Sequence, residues 1–254
     1  MTEDKAPSGL GRHALGVGVL AIGVLTLAIG NFHPGQPVPK DFPGRAELAY
    51  AVGAFLVAAG MGLQWRRTLL WASGALAAYW WLLVVLVMDG RLILRHWREY
   101  IAYSNTAEQL AIAAAALIVF VAAAPLDRVP ARRLTRAGQM AFGLCAVLFG
   151  GAHFFYMDLT APLVPKWLPP SQLFWGYATG VFHIAGGLAI LSGVRARLGA
   201  VLLTVMYAAF TPLALMPLLL SKPDQVGPWA ENAVNLALIG AAWVVADSLR
   251  KPEA

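Results

Sequence analysis

Residues 198–220 read LGAVLLTVMYAAFTPLALMPLLL, a stretch without a charged residue. A helix needs about 20 mostly apolar residues to cross the hydrocarbon core of a bilayer. The run also lacks the two-residue alternation of a membrane β-barrel, and a helix satisfies its backbone polar groups within lipid. The stretch therefore predicts a transmembrane helix.

Seven further stretches have the same character, so we predict an all-α integral membrane protein with eight transmembrane helices. Three of the eight are short, and they reach spanning length only if Glu47, Glu108 and Glu231 lie at the headgroup level. The seven stretches are 14–30, 48–64, 68–88, 108–124, 138–155, 172–192 and 231–246.

The composition also favours lipid over water as the solvent. Hydrophobic residues make up 59% of the chain and charged residues 13%, whereas a soluble domain has about 25% charged residues. The net charge is +6, but the basic residues sit in short runs between apolar stretches. That pattern indicates membrane topology and not a nucleic-acid-binding face, so no nucleic-acid partner is expected.

The distribution of Lys and Arg predicts the orientation. Twelve lie on the side of the two termini and seven on the other side. Loops on the cytoplasmic side of a membrane protein carry the excess of Lys and Arg, so both termini are expected in the cytoplasm. The expected location of the protein is the inner (plasma) membrane of the cell. The predicted cytoplasmic tails are residues 1–13 and 250–254.

The two halves of the chain repeat one another. VPK at 38–40 is echoed by VPK at 164–166, and AVGAF at 51–55 by ATGVF at 178–182. Each half has an even number of helices, so the halves share one orientation, as in a parallel repeat. We predict two parallel four-helix repeats, 14–125 and 138–249, joined by a basic cytoplasmic linker at 126–137.

His183 lies near the middle of the sixth predicted helix, and the repeat register matches it with Leu56. An ionisable group at this depth must face the bundle interior or a cavity, which makes it a functional-site hypothesis. We predict a catalytic or cofactor-binding role. The alternative is a neutral histidine bonded to a backbone carbonyl, or to a hydroxyl of a neighbouring helix.

Further polar groups cluster where helices leave the membrane. His153 and Asp158 mark the exit of the fifth predicted helix, and His33 that of the first. Imidazole binds metals and haem, but this spacing fits no compact motif, so no metal site is predicted. Glu108 and Glu231 are expected in the first turns of their helices, where carboxylates complement the dipole. Alternatively, Glu231 works with His153 or Asp158 as a proton relay.

The segment VPKWLPP at 164–170 should be stiff, because proline restricts its own backbone dihedral angles and those of the residue before it. It is either an interfacial plug that closes the bundle or a lid over a cavity, with Trp167 dipping into the interface. The seventh predicted helix carries two prolines beside Tyr207 and Met216, and a kinked helix often borders a cavity. The predicted cofactor-binding residues are therefore His183, Trp167, Tyr207 and Met216.

Several short motifs resemble the DoxX family of bacterial four-helix membrane proteins. They are GAHF at 151–154, VPKWLP at 164–169, GVFHIAGGL at 180–188 and RAR at 195–197. The resemblance covers about 138–249, and the first half is similar more weakly. It implies a four-helix bundle with the proline-rich loop between its first two helices. Many family members carry an acidic residue where this chain has His183.

The resemblance implies a quinone-linked or redox-associated membrane subunit, with a quinone as the expected cofactor and a redox protein as partner. Two alternatives stay open. One is the binding or transport of a lipid or small apolar ligand, or a role in assembly. The other is a lipid-metabolising membrane enzyme that uses His183 as general acid and base. Whether the chain is an enzyme stays open at this point.

Overall fold

The computed structural model describes residues 9–250. Their regular secondary structure is helical and includes no strand, so the predicted all-α class is confirmed for them. The predicted tails lie mostly outside this range. Nine helices follow in chain order, of which only α6 is a single turn. They are α1 Leu10–Ile29, α2 Arg45–Gly62, α3 Leu69–Arg95, α4 Tyr100–Ala123, α5 Arg128–Phe155, α6 Met157–Thr160, α7 Gln172–Ser192, α8 Ala196–Ser221 and α9 Val226–Ser248.

Seven helices within the described residues are long and apolar enough to cross a membrane: α1, α3, α4, α5, α7, α8 and α9. Their number and composition indicate a multi-pass membrane protein. Helix α2 has 18 residues and is not among the seven, because Arg45 and Glu47 in its first turn lower its mean hydropathy.

Helices α4 and α9 begin earlier than predicted, which changes the position of one carboxyl group in each. Helix α4 begins at Tyr100 and α9 at Val226, so Glu108 and Glu231 do not lie in first turns, and that prediction is wrong. Polar residues before Glu108 continue the helix. One of them, Ser104, bonds back to the helix's own carbonyl of Ile101, which satisfies a hydroxyl without breaking the helix.

Helix α5 also begins early, at Arg128, so it takes in most of the predicted basic linker at 126–137. The guanidinium of Arg136 bonds the carbonyl oxygens of Ile190 and Leu191 at the end of α7, at 2.9 and 2.7 Å. These contacts use carbonyls that a helix end leaves without partners. The linker residues therefore help to fix α5 against α7.

Helices α1 and α2 pack antiparallel through glycines. A Cβ on Gly23 would lie 2.8 Å from the carbonyl oxygen of Gly53, and one on Gly60 would lie 2.7 Å from that of Gly16. No side chain fits at such distances, so only glycine permits this close backbone approach.

Helices α5 and α7 pack by the same device. A Cβ on Gly150 would lie 2.7 Å from the carbonyl oxygen of Gly180, and one on Gly187 would lie 2.6 Å from that of Gly143. In both helix pairs, the two contacts lie seven residues apart along each helix. Seven residues are close to two helical turns, which keeps both contacts on one face.

Helices α4 and α9 form the centre of the bundle, since 67% of the apolar part of each is buried, against 28% for α3 and α8. Alanine dominates the buried faces of both central helices, and small side chains let helices approach in lipid. Helices α3 and α8 lie at the periphery. Each contains a π-helical segment, Tyr79–Asp89 in α3 and Thr211–Leu215 in α8.

Candidate functional site

A groove of about 770 Å³ lies between α7, α8 and the proline-rich loop at 164–170. Its size is that of a small-molecule site. Apart from His153, Thr160, Thr179 and Arg195, all of the side chains that line it are apolar or aromatic. The apolar lining includes Phe182, Leu198, Leu202 and Val205, each at least half exposed. The groove is therefore open on the outer face of the bundle.

The groove follows α7 for much of its length. Its lining runs along this helix from Trp175 to Ala189, which corresponds to roughly 20 Å at the rise of an α-helix. Val164, Pro165 and Leu168 of the loop line one end, and Val194 and Arg195 line the other. A space of this shape suits an extended hydrocarbon chain better than a compact molecule.

His153, in the last turn of α5, is the imidazole that lines the groove. Its Nδ1 lies 3.1 Å from the hydroxyl oxygen of Thr179 on α7. That hydroxyl also lies 2.8 Å from the carbonyl oxygen of Trp175 and 3.0 Å from that of Gly176, and it donates its one proton to this backbone. We therefore assign the proton of the neutral ring to Nδ1, which leaves Nε2 as an acceptor.

His183 lies one turn further along α7, behind the groove lining, and is 3% exposed. Its Nδ1 is 2.9 Å from the carbonyl oxygen of Thr179, an atom that only accepts, so Nδ1 carries the proton. The ring centroids of His153 and Tyr207 lie 5.3 and 5.4 Å away. This is the geometry of a neutral histidine bonded to a backbone carbonyl, here one of its own helix.

Two predicted cofactor-binding residues face elsewhere, although both belong to elements that border the groove. Trp167 is 71% exposed and Met216 is 39% exposed, and neither lines the groove. Tyr207 packs on His183 and is 2% exposed, with a hydroxyl that has no partner in the described residues. The structure therefore brings Tyr207 and His183 together beside His153.

Asp158 and Glu231 are exposed and do not line the groove. Asp158 lies on the short helix α6. Glu231 lies on α9, where the charges that act on it include that of Lys222. No hydrogen bond or ion pair in the described residues joins either carboxylate to His153, and the relay stays a prediction.

His33 is separate from the two groove histidines. It lies in the first proline-rich loop, residues 30–44 between α1 and α2. It is 2% exposed, and its Nδ1 accepts a hydrogen bond from the Gly35 amide at 3.2 Å. Burial lowers the pKa of His33 to about 4, because the interior disfavours the charged imidazolium. Within residues 9–250, no group of three or more His, Cys, Asp or Glu side chains is arranged to hold a metal ion.

Sequence reasoning overlooked Thr179, which contacts both histidines. The signal was present in the repeat, where Thr179 replaces Val52 in otherwise similar segments. A hydroxyl that replaces an apolar side chain on a membrane helix indicates a hydrogen-bonding role. The groove itself could not be inferred from the pattern, because it depends on how far α8 diverges from α7.

Residues 140–246 match a family described as a domain of unknown function (DUF8561). This match covers less than half of the chain, and it is not to DoxX, so the DoxX resemblance is wrong. The motifs that suggested it consist largely of glycine, proline and aromatic residues, which recur wherever membrane helices pack closely or leave the bilayer. No curated protein matches the chain, and no solved structure matches it.

Proposed function

We propose that this protein binds a long-chain lipid with a hydroxyl-bearing head group in the groove between α7 and α8. The observation that carries the proposal is the apolar groove of about 770 Å³ with one imidazole near the loop end. In this arrangement the hydrocarbon chain lies along α7 and the head group lies beside His153. The loop at 164–170 covers the head group as a lid.

The tautomer of His153 favours a ligand with a hydroxyl group over a ligand with only a carbonyl group at this position. Its Nδ1 is engaged with Thr179, so a neutral ring offers a ligand only the acceptor Nε2. A ligand hydroxyl donates to this nitrogen, whereas a ligand carbonyl cannot. The sparse charge around the groove also favours an uncharged ligand, because Arg195 is the one charged residue in its lining.

A quinol is a second candidate ligand, favoured by the neighbouring imidazoles of His153 and His183, 5.3 Å apart. A quinol has a long chain and a phenolic hydroxyl, and a histidine can take its proton. A redox partner protein would then receive the electrons. A lipid-metabolising enzyme that uses His183 is less favoured, because His183 does not line the groove.

A matched pair of substitutions tests ligand binding. Ala185 lines the groove, and Ala58 occupies the corresponding position of α2; both are exposed. We expect Ala185→Trp to fill the groove and Ala58→Trp to leave it open. The full-length variants are purified in mild detergent, and the lipids that co-purify are extracted and identified by mass spectrometry.

We expect wild type and Ala58→Trp to retain one lipid species at about one per chain, and Ala185→Trp to lose it. If Ala185→Trp retains the same lipid in the same amount, the groove is not the binding site. If all three proteins carry only the mixture of the surrounding bilayer, the protein has no specific lipid there.

We also propose eight membrane spans, with α2 as the eighth, arranged as two parallel repeats. Support comes from the glycine contacts, which recur with the same partners 127 residues apart, such as Gly53 and Gly180. The charge distribution supports cytoplasmic termini in an inner membrane. In this arrangement α6 and the loop that follows it lie outside the spans.

Cysteine labelling in intact cells tests the orientation. Cys145 is the sole cysteine and is fully buried, so an introduced cysteine at an exposed site reacts selectively. We expect a membrane-impermeant maleimide to label Lys40→Cys and to leave Arg67→Cys unlabelled until the cells are opened. The reverse pattern would contradict cytoplasmic termini, and labelling of both in intact cells would contradict α2 as a membrane span, since α2 is the one helix between the two positions.

A further inference from the structure

A second cavity, of about 460 Å³, lies between the first proline-rich loop and the end of α3. It is distinct from the groove and belongs to the other half of the chain. Its lining residues are Pro37, Val38, Pro39 and Lys40 of the loop, and Met88, Arg91, Leu92, Arg95 and His96 at the end of α3. The cavity therefore combines apolar walls with three permanent positive charges.

The loop side of this cavity is held in place by a fourth basic residue. The guanidinium of Arg45 bonds the carbonyl oxygens of Val38 and Pro39, the latter at 2.7 Å, and the side chain of Asn31 at 2.8 Å. These contacts satisfy Arg45 within the protein and fix the loop backbone. Lys40 is thereby held over the end of α3.

The three cations of the cavity are not satisfied in this way. In the described residues, Lys40, Arg91 and Arg95 make no hydrogen bond and no ion pair. Asp41 follows Lys40 and is exposed, and Asp89 lies two residues before Arg91 and is 1% exposed; neither forms an ion pair with these cations in the described residues. Glu99 is engaged with His96 at 2.9 Å. Arg91 and Arg95 are four residues apart on one helix, an arrangement in which like charges destabilise the helix unless an anion neutralises them.

The surroundings of the site indicate the depth at which this anion lies. Leu94 is 80% exposed and Trp97 is 59% exposed, and both flank the arginines at the end of an apolar spanning helix. Tryptophan and arginine at a helix end are typical of the membrane–water interface. The anions that are concentrated at this depth are the phosphates of lipid headgroups.

We propose that Lys40, Arg91 and Arg95 bind the phosphate of an anionic phospholipid headgroup in this cavity. Guanidinium groups donate paired hydrogen bonds to phosphate oxygens, and the ammonium of Lys40 adds a third contact from the loop side. The glycerol portion of the lipid then lies against the apolar walls formed by Pro37, Met88 and Leu92. The site is independent of the groove and of the ligand proposed for it.

The test compares two double variants that remove the same charge. Arg91→Gln/Arg95→Gln removes the site, whereas Arg66→Gln/Arg67→Gln removes two exposed arginines at the other end of the bundle. The full-length proteins in neutral detergent are titrated with phosphatidylglycerol, with phosphatidylcholine or with inorganic phosphate, and thermal unfolding is followed. Ligand binding to the folded state raises the unfolding temperature.

We expect phosphatidylglycerol to stabilise wild type and Arg66→Gln/Arg67→Gln alike. The affinity of Arg91→Gln/Arg95→Gln for phosphatidylglycerol should be about tenfold lower or more, because each charge-assisted hydrogen bond contributes more to the binding free energy than a neutral one. Lys40→Gln, a loop variant that leaves both helix arginines in place, should show a smaller fall.

Three results would overturn the proposal. One is an equal loss in both double variants, which would indicate a general effect of surface charge. Another is stabilisation by inorganic phosphate as strong as that by the lipid, which would indicate a site for a free anion. The third is the absence of any difference between phosphatidylglycerol and phosphatidylcholine in wild type.

Discussion

Helix pairs α1–α2 and α5–α7 pack through the same glycine contacts but carry different polar residues. In α1–α2, Leu56 is completely buried and Val52 precedes the close glycine. In α5–α7, the matching positions hold His183 and Thr179, and His153 approaches both. The comparison indicates that a common packing device supports two different interiors. In the first, the counterpart of His153 is Thr26, which bonds the carbonyl oxygen of Ile22 in its own helix; in the second, hydrogen-bonding groups of two helices meet beside a groove.

The two proline-rich loops differ in the same sense. The loop at 164–170 lines one end of a groove whose lining contains a single charged residue, Arg195. The first loop lines one side of a smaller cavity with three basic side chains. Related segments of this chain are therefore expected to contact different parts of lipid molecules, the hydrocarbon chain in one half and the phosphate in the other.

The largest expected effect breaks the shared packing device itself. A valine at Gly150 would bring its Cβ within 2.7 Å of the Gly180 carbonyl oxygen, and one at Gly23 within 2.8 Å of the Gly53 carbonyl oxygen. Each substitution should destabilise the protein by about 3 kcal/mol, because backbone atoms must move apart. Thermal unfolding in detergent measures the loss.

The matched control is Gly227→Ala, because a Cβ there meets no atom within 4 Å. We further expect Gly150→Val to lose the groove lipid and Gly23→Val to keep it. Equal stability of wild type and both valine variants would contradict the close packing described for these helix pairs.

The next effect exchanges the residues that distinguish the two interiors. Leu56→His should cost about 2 kcal/mol, because it buries a polar ring in an apolar core. His183→Leu should cost about 1 kcal/mol, because it removes one hydrogen bond to the carbonyl oxygen of Thr179, which still accepts the backbone hydrogen bond of its helix. Both are measured by unfolding at pH 8, where a histidine is neutral in the unfolded chain.

The result that decides is which of the two substitutions lowers the free energy of unfolding more. If Leu56→His is tolerated as well as His183→Leu, then the first interior accepts an imidazole and the two regions are not specialised. If His183→Leu is the more damaging of the two, the buried histidine contributes more to stability than its one hydrogen bond explains.

A smaller effect concerns pH and His33. Burial lowers the pKa of His33 from 6.5 to about 4, so the unfolded chain binds a proton at a higher pH than the folded protein does. Stability is therefore unaffected above pH 6.5 and falls as the pH is lowered from 6.5 to 4, by at most about 3 kcal/mol. His33→Asn should show a weaker decrease over this window, as followed by thermal unfolding.

Asparagine is the appropriate replacement, because its side-chain oxygen can accept the Gly35 amide as the imidazole does. The other titrating groups are common to both proteins, so only the difference between the two pH curves is interpreted. Parallel curves for wild type and His33→Asn would contradict a buried neutral His33.

Hydrophobic runs were sufficient to predict the helices and their order, because a spanning helix requires a long apolar stretch. They were insufficient for the starts of α4 and α9. In α4 a polar residue, Ser104, remains helical and bonds to the helix's own backbone, and in α9 Gly227 and Pro228 lie within the first turn. Glu108 was expected in a first turn for this reason, yet it lies in the third turn of α4.

The candidate site was predictable only in part. His183 and His153 stood out because imidazoles are rare at membrane depth, but their adjacency depends on the approach of α5 to α7. The roles expected for Trp167 and Met216 followed from position along the chain, which does not determine the face a side chain occupies. The groove arises from the separation of two helices, and no local pattern encodes that separation.

The most direct test of the central claim uses a photoreactive residue in the groove. Phe182 lines the groove and Phe55 is its counterpart in the first half, where it packs near Tyr79. Replacing each in turn with benzoylphenylalanine, irradiating the protein in its native membrane and identifying the adduct by mass spectrometry reports what lies there. We predict one discrete hydroxyl-bearing lipid at position 182 and none of it at position 55. Adducts at both positions that reflect only the bulk lipids of the membrane would contradict a specific binding groove.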